Sequence, residues 1–590
     1  MKFNRLQLLS VAIITLFLAA CNNKPAVPLD GEPASPVPAK ADEWSTVKSG
    51  LNGAAGSVYS RYIKTSPPEN HESLEKELSL SAWRCERVNI ELIFWNKSGS
   101  AEYNIISGEL TGEDSSIPSA SINTMVVKYI LADEYLDGCG TRDNKSVPVH
   151  LVADILENGN QITLGEMETR ALWVTVDIPP DAVAGKYNTL IRACSGSDTI
   201  NFGVEINVSD LLLPPPAEWS FRLGLTINPF VVAGYHGVDN WSHQHIEILR
   251  PYLRMLAMAG QKHISTGLID NGSDAEAGSM VTWIRNSDGT WEYDYSDFDI
   301  FVNLAMECGI DREIICYTGF PQNKTFRWFD EDTGSFIEED IEPGTDEYRV
   351  RWSSFLYGLR THLSENGWLD ITTLSVGEGI PEEVSAVLSM VKSVTPEIGI
   401  SVTGDYIQGA GEYISNYILP FNRLDDNVSV FAEKTMKNSG YTLFYTGCDV
   451  PRPNRFTFSP PAESALIPLI ASAREIDGYT GEGIDKWTAS PMTDSRYENM
   501  PSGGGYIIYP GPLSSVRFEL LRDGIEEFEK LRILRDRLSM DPSSLAASAE
   551  KRIEQYLKEM TFESLLTRPA ADIVAEGKKM ADSISAVVAR

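Results

Sequence analysis

The 590-residue chain is short of the residues that build metal and redox centres, with seven cysteines and seven histidines. No two cysteines form a CxxC pair and no cysteine–histidine cluster has metal-ligand spacing, which argues against a structural zinc site. Basic residues are also scarce, at 50 Lys and Arg against 83 Asp and Glu, for a net charge of -33. A nucleic-acid partner needs clustered cations to meet its phosphates, and this balance argues against one. There is no internal repeat. Nothing in these absences limits core formation, since 42% of the residues are hydrophobic.

The N-terminal apolar stretch, Leu8 to Leu18, is too short to cross a membrane as a mature helix. It follows Lys2 and Arg5 and precedes Ala19-Ala20-Cys21, the layout of a secretory signal. Leu18-Ala19-Ala20-Cys21 also resembles a bacterial lipoprotein signal, in which Cys21 becomes the lipidated first residue. Two or more acyl chains would then hold the protein on a membrane, facing either the periplasm or the cell exterior. An ordinary signal peptide with a coincidental cysteine is the alternative. Residues 22–45 are rich in Pro and Ala and read as an extended tether. Export permits disulfides, and Cys85, Cys139 and Cys194 fall in one region, so a bridge among them is expected as an option.

Residues 46–215 carry apolar or alternating runs at Val88–Phe94, Ile122–Leu131, Ala171–Ile178, Tyr187–Ile191 and Ile200–Val208, broken by turn residues. They predict an antiparallel β-sandwich, stopped by Leu213-Pro214-Pro215-Pro216. From residue 216 the rhythm becomes strand, loop, helix. Strands are expected at Phe221–Leu225, His263–Ile269, Glu313–Thr318, Ile371–Val376, Gly399–Thr403, Val428–Ala432, Tyr441–Thr446 and Gly478–Thr480. About eight such alternations predict a (β/α)8 TIM-like barrel over 216–540, with a helical segment at 541–590. The competing layout, a doubly wound open sheet, lacks its Gly-rich dinucleotide turn after the first strand.

In such a barrel the C-terminal strand ends converge on the active site. Carboxylates just past them are Asp270, Glu378, Asp405, Glu433, Asp449, Glu482 and Asp485, and no histidine stands at these ends. Acids with loop aromatics such as Tyr235, Trp328, Tyr406, Tyr445, Trp487 and Tyr497 suit glycoside cleavage. That reaction needs a proton donor on the leaving oxygen and negative charge near an oxocarbenium-like centre. A single strand-end acid is more often solvated or structural, and a single aromatic more often packs a core or rim. Glu378 is distinguished by Gly377 and Gly379, which permit a tight strand exit. A partly apolar barrel mouth around it would suit a general acid.

Four stretches, "NPFVVAGYHGVDNWS" at 228–242, "FYTGCDVPRPNRFTFSPPAES" at 444–464, "DKWTASPMTDSR" at 485–496 and "YPGPLSSVRFELLRDGIEEFEKLRIL" at 509–534, resemble the catalytic region of glycoside hydrolase family 123, also described as a DUF4091-type domain. The resemblance implies β-N-acetylgalactosaminidase-like chemistry with no cofactor and no metal. In that retaining, substrate-assisted reaction the sugar's own 2-acetamido group attacks the anomeric carbon. An Asp-Glu pair serves it, Asp orienting the acetamide and Glu acting as acid/base. Here the pair aligns with Gly377-Glu378, so the acid/base is kept and the stabilising Asp is absent. Losing such a transition-state interaction costs a few kcal/mol, roughly 100-fold in rate. "EGIDKW", residues 482–487, replaces an aromatic-rich segment of relatives, and Glu482, Asp485 or Glu433 could supply the second carboxylate. Tyr235, Tyr406, Tyr445, Trp487, Asp494 and Arg496 are the candidate substrate contacts, with a structural ion pair as the other reading of the last two. Three functions are open: a glycosidase of altered specificity, a weakened relative that binds glycans at the cell surface, or a protein-binding scaffold.

Overall fold

A computed structural model describes residues 31–588 apart from 136–146, 270–277, 322, 405–411, 428–429, 431, 433–439, 449 and 482. Two sheets make up the N-terminal domain. One runs in spatial order Asn52–Ala55, Arg87–Asn96, Glu168–Asp177, Ile122–Asp133, Val149–Asn158 and Ser514–Ser515. The other runs Glu77–Arg84, Asp198–Leu212, Gly185–Ser195, Ala101–Ser107 and Gln161–Leu164. Pairing is antiparallel except between Asp198–Leu212 and Glu77–Arg84, which run parallel. Leu92, Phe94, Leu172 and Val174 of the first sheet meet Tyr103, Ile191, Phe202 and Ile206 of the second.

Ile93, Trp95 and Trp173 point the other way, into the core shared with the C-terminal domain. The first sheet is therefore covered on both faces, which is why Arg87–Asn96 is buried without a break from Ile90 and its alternation gives way to a continuous apolar run at Leu92–Trp95. By contrast Gly185–Ser195 alternates buried and exposed along its central residues, as a sheet with one wet face must.

Two expectations fail in this domain. The supposed tether is anchored at Glu32 and Trp44, while most residues between them are exposed. The Glu32 carboxylate lies 2.5 Å from both Arg170 and Lys64, and Trp44 is 1% exposed with its indole N–H on the Thr65 carbonyl. No bridge joins two of Cys85, Cys139 and Cys194, since Cys85 and Cys194 are free thiols; Cys139 lies outside the described residues, and among the described residues Cys448 is disulfide-bonded.

The barrel strands are β1 (Arg222–Gly224), β2 (His263–Gly267), β3 (Glu313–Tyr317), β4 (Thr372–Val376), β5 (Gly399–Thr403), β6 (Asn416–Pro420), β7 (Thr442–Tyr445) and β8 (Gly478–Thr480). They pair in parallel in the order β1-β8-β7-β6-β5-β4-β3-β2. The remaining seam is closed by a bridge from Leu223 to Gln261, whose side chain also bonds both N–H and C=O of Leu225 at 3.0 and 2.8 Å. Outside lie α1 (Pro229–His236), α2 (His243–Met258), α3 (Ser296–Glu307), α4 (Asp346–Glu365), α5 (Pro381–Val394), α6 (Ala462–Arg474) and α7 (Val516–Met540). Ser242 caps α2, accepting from the His245 N–H at 3.2 Å.

The sixth strand is not Val428–Ala432, since Val430 and Ala432 are helical. Asn416–Pro420 takes the slot, pairing Ser401 with Asn416 on one side and Tyr417 with Thr442 on the other. An unanticipated four-stranded sheet sits on the loops after β2 and β3, built from hairpins Thr282–Arg285/Trp291–Asp294 and Thr325–Asp330/Ser335–Asp340. Trp328 belongs to its packing: it is 5% exposed, with the Arg351 guanidinium 5.0 Å from its ring.

Helices α8 (Ser544–Lys558), α9 (Phe562–Thr567) and α10 (Ala570–Val588) follow α7. Helix α7 joins the two domains through buried charge. Arg517 pairs with Asp154 at 2.9 Å, and Lys530 reaches Glu86 at 2.5 Å and Glu527 at 2.9 Å. Among the described residues no helix is long and apolar enough to cross a membrane.

Candidate active site

Strand β4 is wholly buried and delivers the chain to the C-terminal face, where Gly377 N–H donates to the Phe320 carbonyl at 2.8 Å. The next residue, Glu378, is exposed. Its Oε1 accepts the hydroxyl proton of Tyr445, the last residue of β7. Just past β5, Gly404 has φ +116°, and a Cβ built there would stand 3.0 Å from Glu378 Cγ. Three strand ends thus converge on one carboxylate. The Glu378 side chain is exposed and held by a phenol.

Behind Tyr445 a polar chain continues inward. Thr446 Oγ1 lies 2.9 Å from the Tyr479 hydroxyl, which accepts from Arg455 Nε at 2.9 Å. Tyr479 is fully buried and Arg455 8% exposed, so this part of the mouth is rigidly anchored.

The β8–β1 side is built differently. Asp485 is 3% exposed, and its Oδ2 accepts from Asn228 N–H at 2.8 Å. Asn228 in turn caps α1 through Phe230 N–H at 3.0 Å, so Asp485 fixes the turn that launches α1. The Trp487 indole donates to Ile508 O at 2.9 Å, and its ring meets Tyr235 edge-on at 5.0 Å. Tyr235 keeps 42% of its surface exposed. Burial holds His245 below its ordinary pKa, and its Nδ1 accepts from Trp241 N–H at 2.9 Å, which leaves Nε2 to donate to Pro229 O at 2.8 Å.

Asp494 and Arg496 pair with each other at 2.6 Å. Their loop is clamped to the first sheet: Leu131 N–H donates to Thr493 O at 3.0 Å, and Ser495 N–H to Leu131 O at 2.9 Å. The structure therefore brings Glu378 to Tyr445 and Tyr235 to Trp487, while Asp485 and the Asp494–Arg496 pair secure loops. Cys21, Tyr406, Glu433 and Glu482 lie outside the described residues, as do Asp270, Asp405 and Asp449. Gly404 was missed; its signal was a glycine placed directly after a predicted strand.

The sequence pattern of the glycoside hydrolase 123 catalytic domain matches residues 227–534, and that of the glycoside hydrolase 123 N-terminal domain matches residues 55–194. The chain belongs to glycoside hydrolase family 123. Membership supports a glycan-hydrolysing function. Glu378, Gly404 and Tyr445 all fall inside the matched catalytic domain.

A family 123 glycoside hydrolase from Clostridium perfringens, studied for glycolipid glycan hydrolysis, has the same fold, with a TM-score of 0.81 and 22% identity over 91% of this chain and 98% of that one. An apo β-glucuronidase 3 from Bacteroides uniformis aligns at TM-score 0.31 and 8% identity, over 76% of this chain and 50% of its own. The endo-β-1,4-mannanase of Thermotoga petrophila aligns at 0.33 and 11%, over 54% and 78%. The comparison with curated proteins gives no match.

Proposed function

We propose that this family 123 member is an exported glycosidase acting on β-linked N-acetyl-hexosamine, galactosamine-type or a related sugar, with Glu378 as general acid/base. The observation that carries the reading is the Glu378 carboxylate itself, exposed where β4, β5 and β7 end and bonded to Tyr445. A proton donor must be open to a substrate oxygen and held in direction, and this residue meets both needs.

Protonation of the leaving oxygen by Glu378 lets the C1–O bond break with its electron pair on the aglycone. A water then attacks C1 and returns a proton to the carboxylate. In the retaining route the substrate's acetamide attacks C1 first, and an oxazolinium-like intermediate precedes the water. With Gly377 where an Asp is expected, that intermediate lacks its usual carboxylate, and Glu482, Asp485 or Glu433 would supply the substitute. Asp485 is buried with its Oδ2 on Asn228 N–H, and Glu482 and Glu433 lie outside the described residues.

The same glycine supports a second reading, a catalytically weakened lipoprotein that binds glycans at the surface. Turnover of aryl N-acetyl-β-galactosaminides separates the two: hydrolysis by the wild type favours the enzyme, and glycan binding without turnover on any aryl glycoside favours the binder. Membrane attachment through Cys21 is proposed from the signal segment. Incorporation of labelled palmitate by the wild type and not by Cys21→Ala is the expected result, and equal labelling would refute it.

A further inference from the structure

We propose that Tyr445 and Gly404 are positioning residues that fix the direction in which Glu378 delivers its proton. This rests on the reading of Glu378 as acid/base. An exposed glutamate between two glycines has no inherent direction, because its side chain samples many rotamers and its backbone has little steric cover. Two contacts remove that freedom. The Tyr445 phenol donates to Oε1, so the protonated carboxyl carries its hydrogen on Oε2. The side-chain stem lies against Gly404, where a Cβ would stand 3.0 Å from Cγ and 3.7 Å from both Cα and Cβ of Glu378.

Neither contact is local in sequence. In the barrel order β5 and β6 lie between β4 and β7, so the phenol reaches across the mouth to hold the acid. Its own backbone is set by the ladder that pairs Pro420 with Tyr445. Gly404 is held by its N–H on Ile418 O at 2.9 Å, and its φ of +116° suits glycine alone. A side chain there would be strained in its backbone and would push the Glu378 stem away. The pair therefore acts through Glu378, one contact choosing the oxygen that keeps the proton and the other the path of the stem.

Leaving-group dependence tests this, because proton donation matters only when the departing oxygen is basic. kcat/KM is measured on phenyl and 2,4-dinitrophenyl N-acetyl-β-galactosaminides for wild type, Tyr445→Phe, Gly404→Ala and Glu378→Gln. General-acid assistance is worth roughly 100-fold or more, so losing its direction is expected to cost Tyr445→Phe and Gly404→Ala ~10- to 100-fold on the phenyl glycoside. The dinitrophenyl glycoside should change by less than about threefold, because it needs little protonation. Tyr445→Phe is nearly isosteric, so it carries the test even where Gly404→Ala fails to fold.

Equal losses on both substrates, or no loss on either, would overturn the positioning role. If Glu378→Gln shows the selective loss and Tyr445→Phe does not, positioning fails and the acid/base reading stands. If Glu378→Gln shows no selective loss, or the wild type turns over neither glycoside, the acid/base reading falls and takes this one with it.

Discussion

At the scale of single residues, Gly377 stands where the family resemblance implies an aspartate. A Cβ built there finds only the Phe320 carbonyl oxygen within 4 Å, at 3.3 Å, and the residue has no left-handed backbone to protect. A Cβ there asks its neighbour to give by only a few tenths of an ångström. Gly377→Asp should therefore raise kcat on an aryl N-acetyl-β-galactosaminide by roughly tenfold or more, since a preorganised transition-state carboxylate is worth a few kcal/mol. Steady-state kinetics of the variant beside the wild type decide it; an unchanged rate would mean that the pocket is rebuilt beyond this one position. Glu378 itself was legible in the sequence as an acid flanked by glycines. Its partners were not, because the contacts of Gly404 and Tyr445 depend on which strand ends face each other across the mouth.

At the scale of elements, helical patterns at about 242–259, 296–308 and 346–366 were readable, and α2, α3 and α4 stand within a residue of them. The sixth strand was not. Asn416–Pro420 mixes an amide, a tyrosine and a proline, and its identity is set by the neighbours it pairs with. The accessory hairpins carried turn chemistry in Asp288-Gly289 and Thr333-Gly334, with glycine φ values of +84° and +62°, but Trp291–Asp294 is only four residues long and Ser335–Asp340 is mostly exposed and ends in three acids.

Buried acids on α6 and α7 give the fold a pH dependence. Burial pushes Glu463 up to about 7 and Glu526 up to about 8, against an ordinary 4.5, despite Asn454 N–H on the first and Arg522 beside the second. The native state holds these protons more tightly than the unfolded chain does. Their stabilising effect is complete below pH ~4.5 and is lost as pH rises through about 7 to 8. The melting temperature should accordingly fall between pH 5 and 8.5, and Glu526→Gln should flatten that slope. A slope unchanged in the variant would remove Glu526 from the account.

For the whole molecule, one face of the first N-terminal sheet and the barrel share one core. Ile93, Trp95 and Trp173 of the first sheet belong to the same buried cluster as Phe528 and Leu531 of α7, and Glu86 of the sandwich neutralises Lys530. Strand Ser514–Ser515 extends the sandwich sheet from within the catalytic region. The sequence marked the two architectures, yet a Pro-rich stretch in the chain is not a gap in the core. A chain beginning at residue 216 would expose that apolar face and strand Lys530 and Glu527 without Glu86. Loss of solubility or of a cooperative melt is expected; a soluble product with a single sharp transition would show that the domains are energetically separable.

Every functional statement returns to the proton on Glu378, and one kinetic comparison reaches it directly. Hydrolysis of phenyl N-acetyl-β-galactosaminide is measured for the wild type and for Glu378→Gln, with folding of both checked by circular dichroism. The account predicts that the folded variant loses roughly 100-fold or more in kcat/KM, the share that a general acid supplies. A folded Glu378→Gln enzyme as fast as the wild type would contradict it.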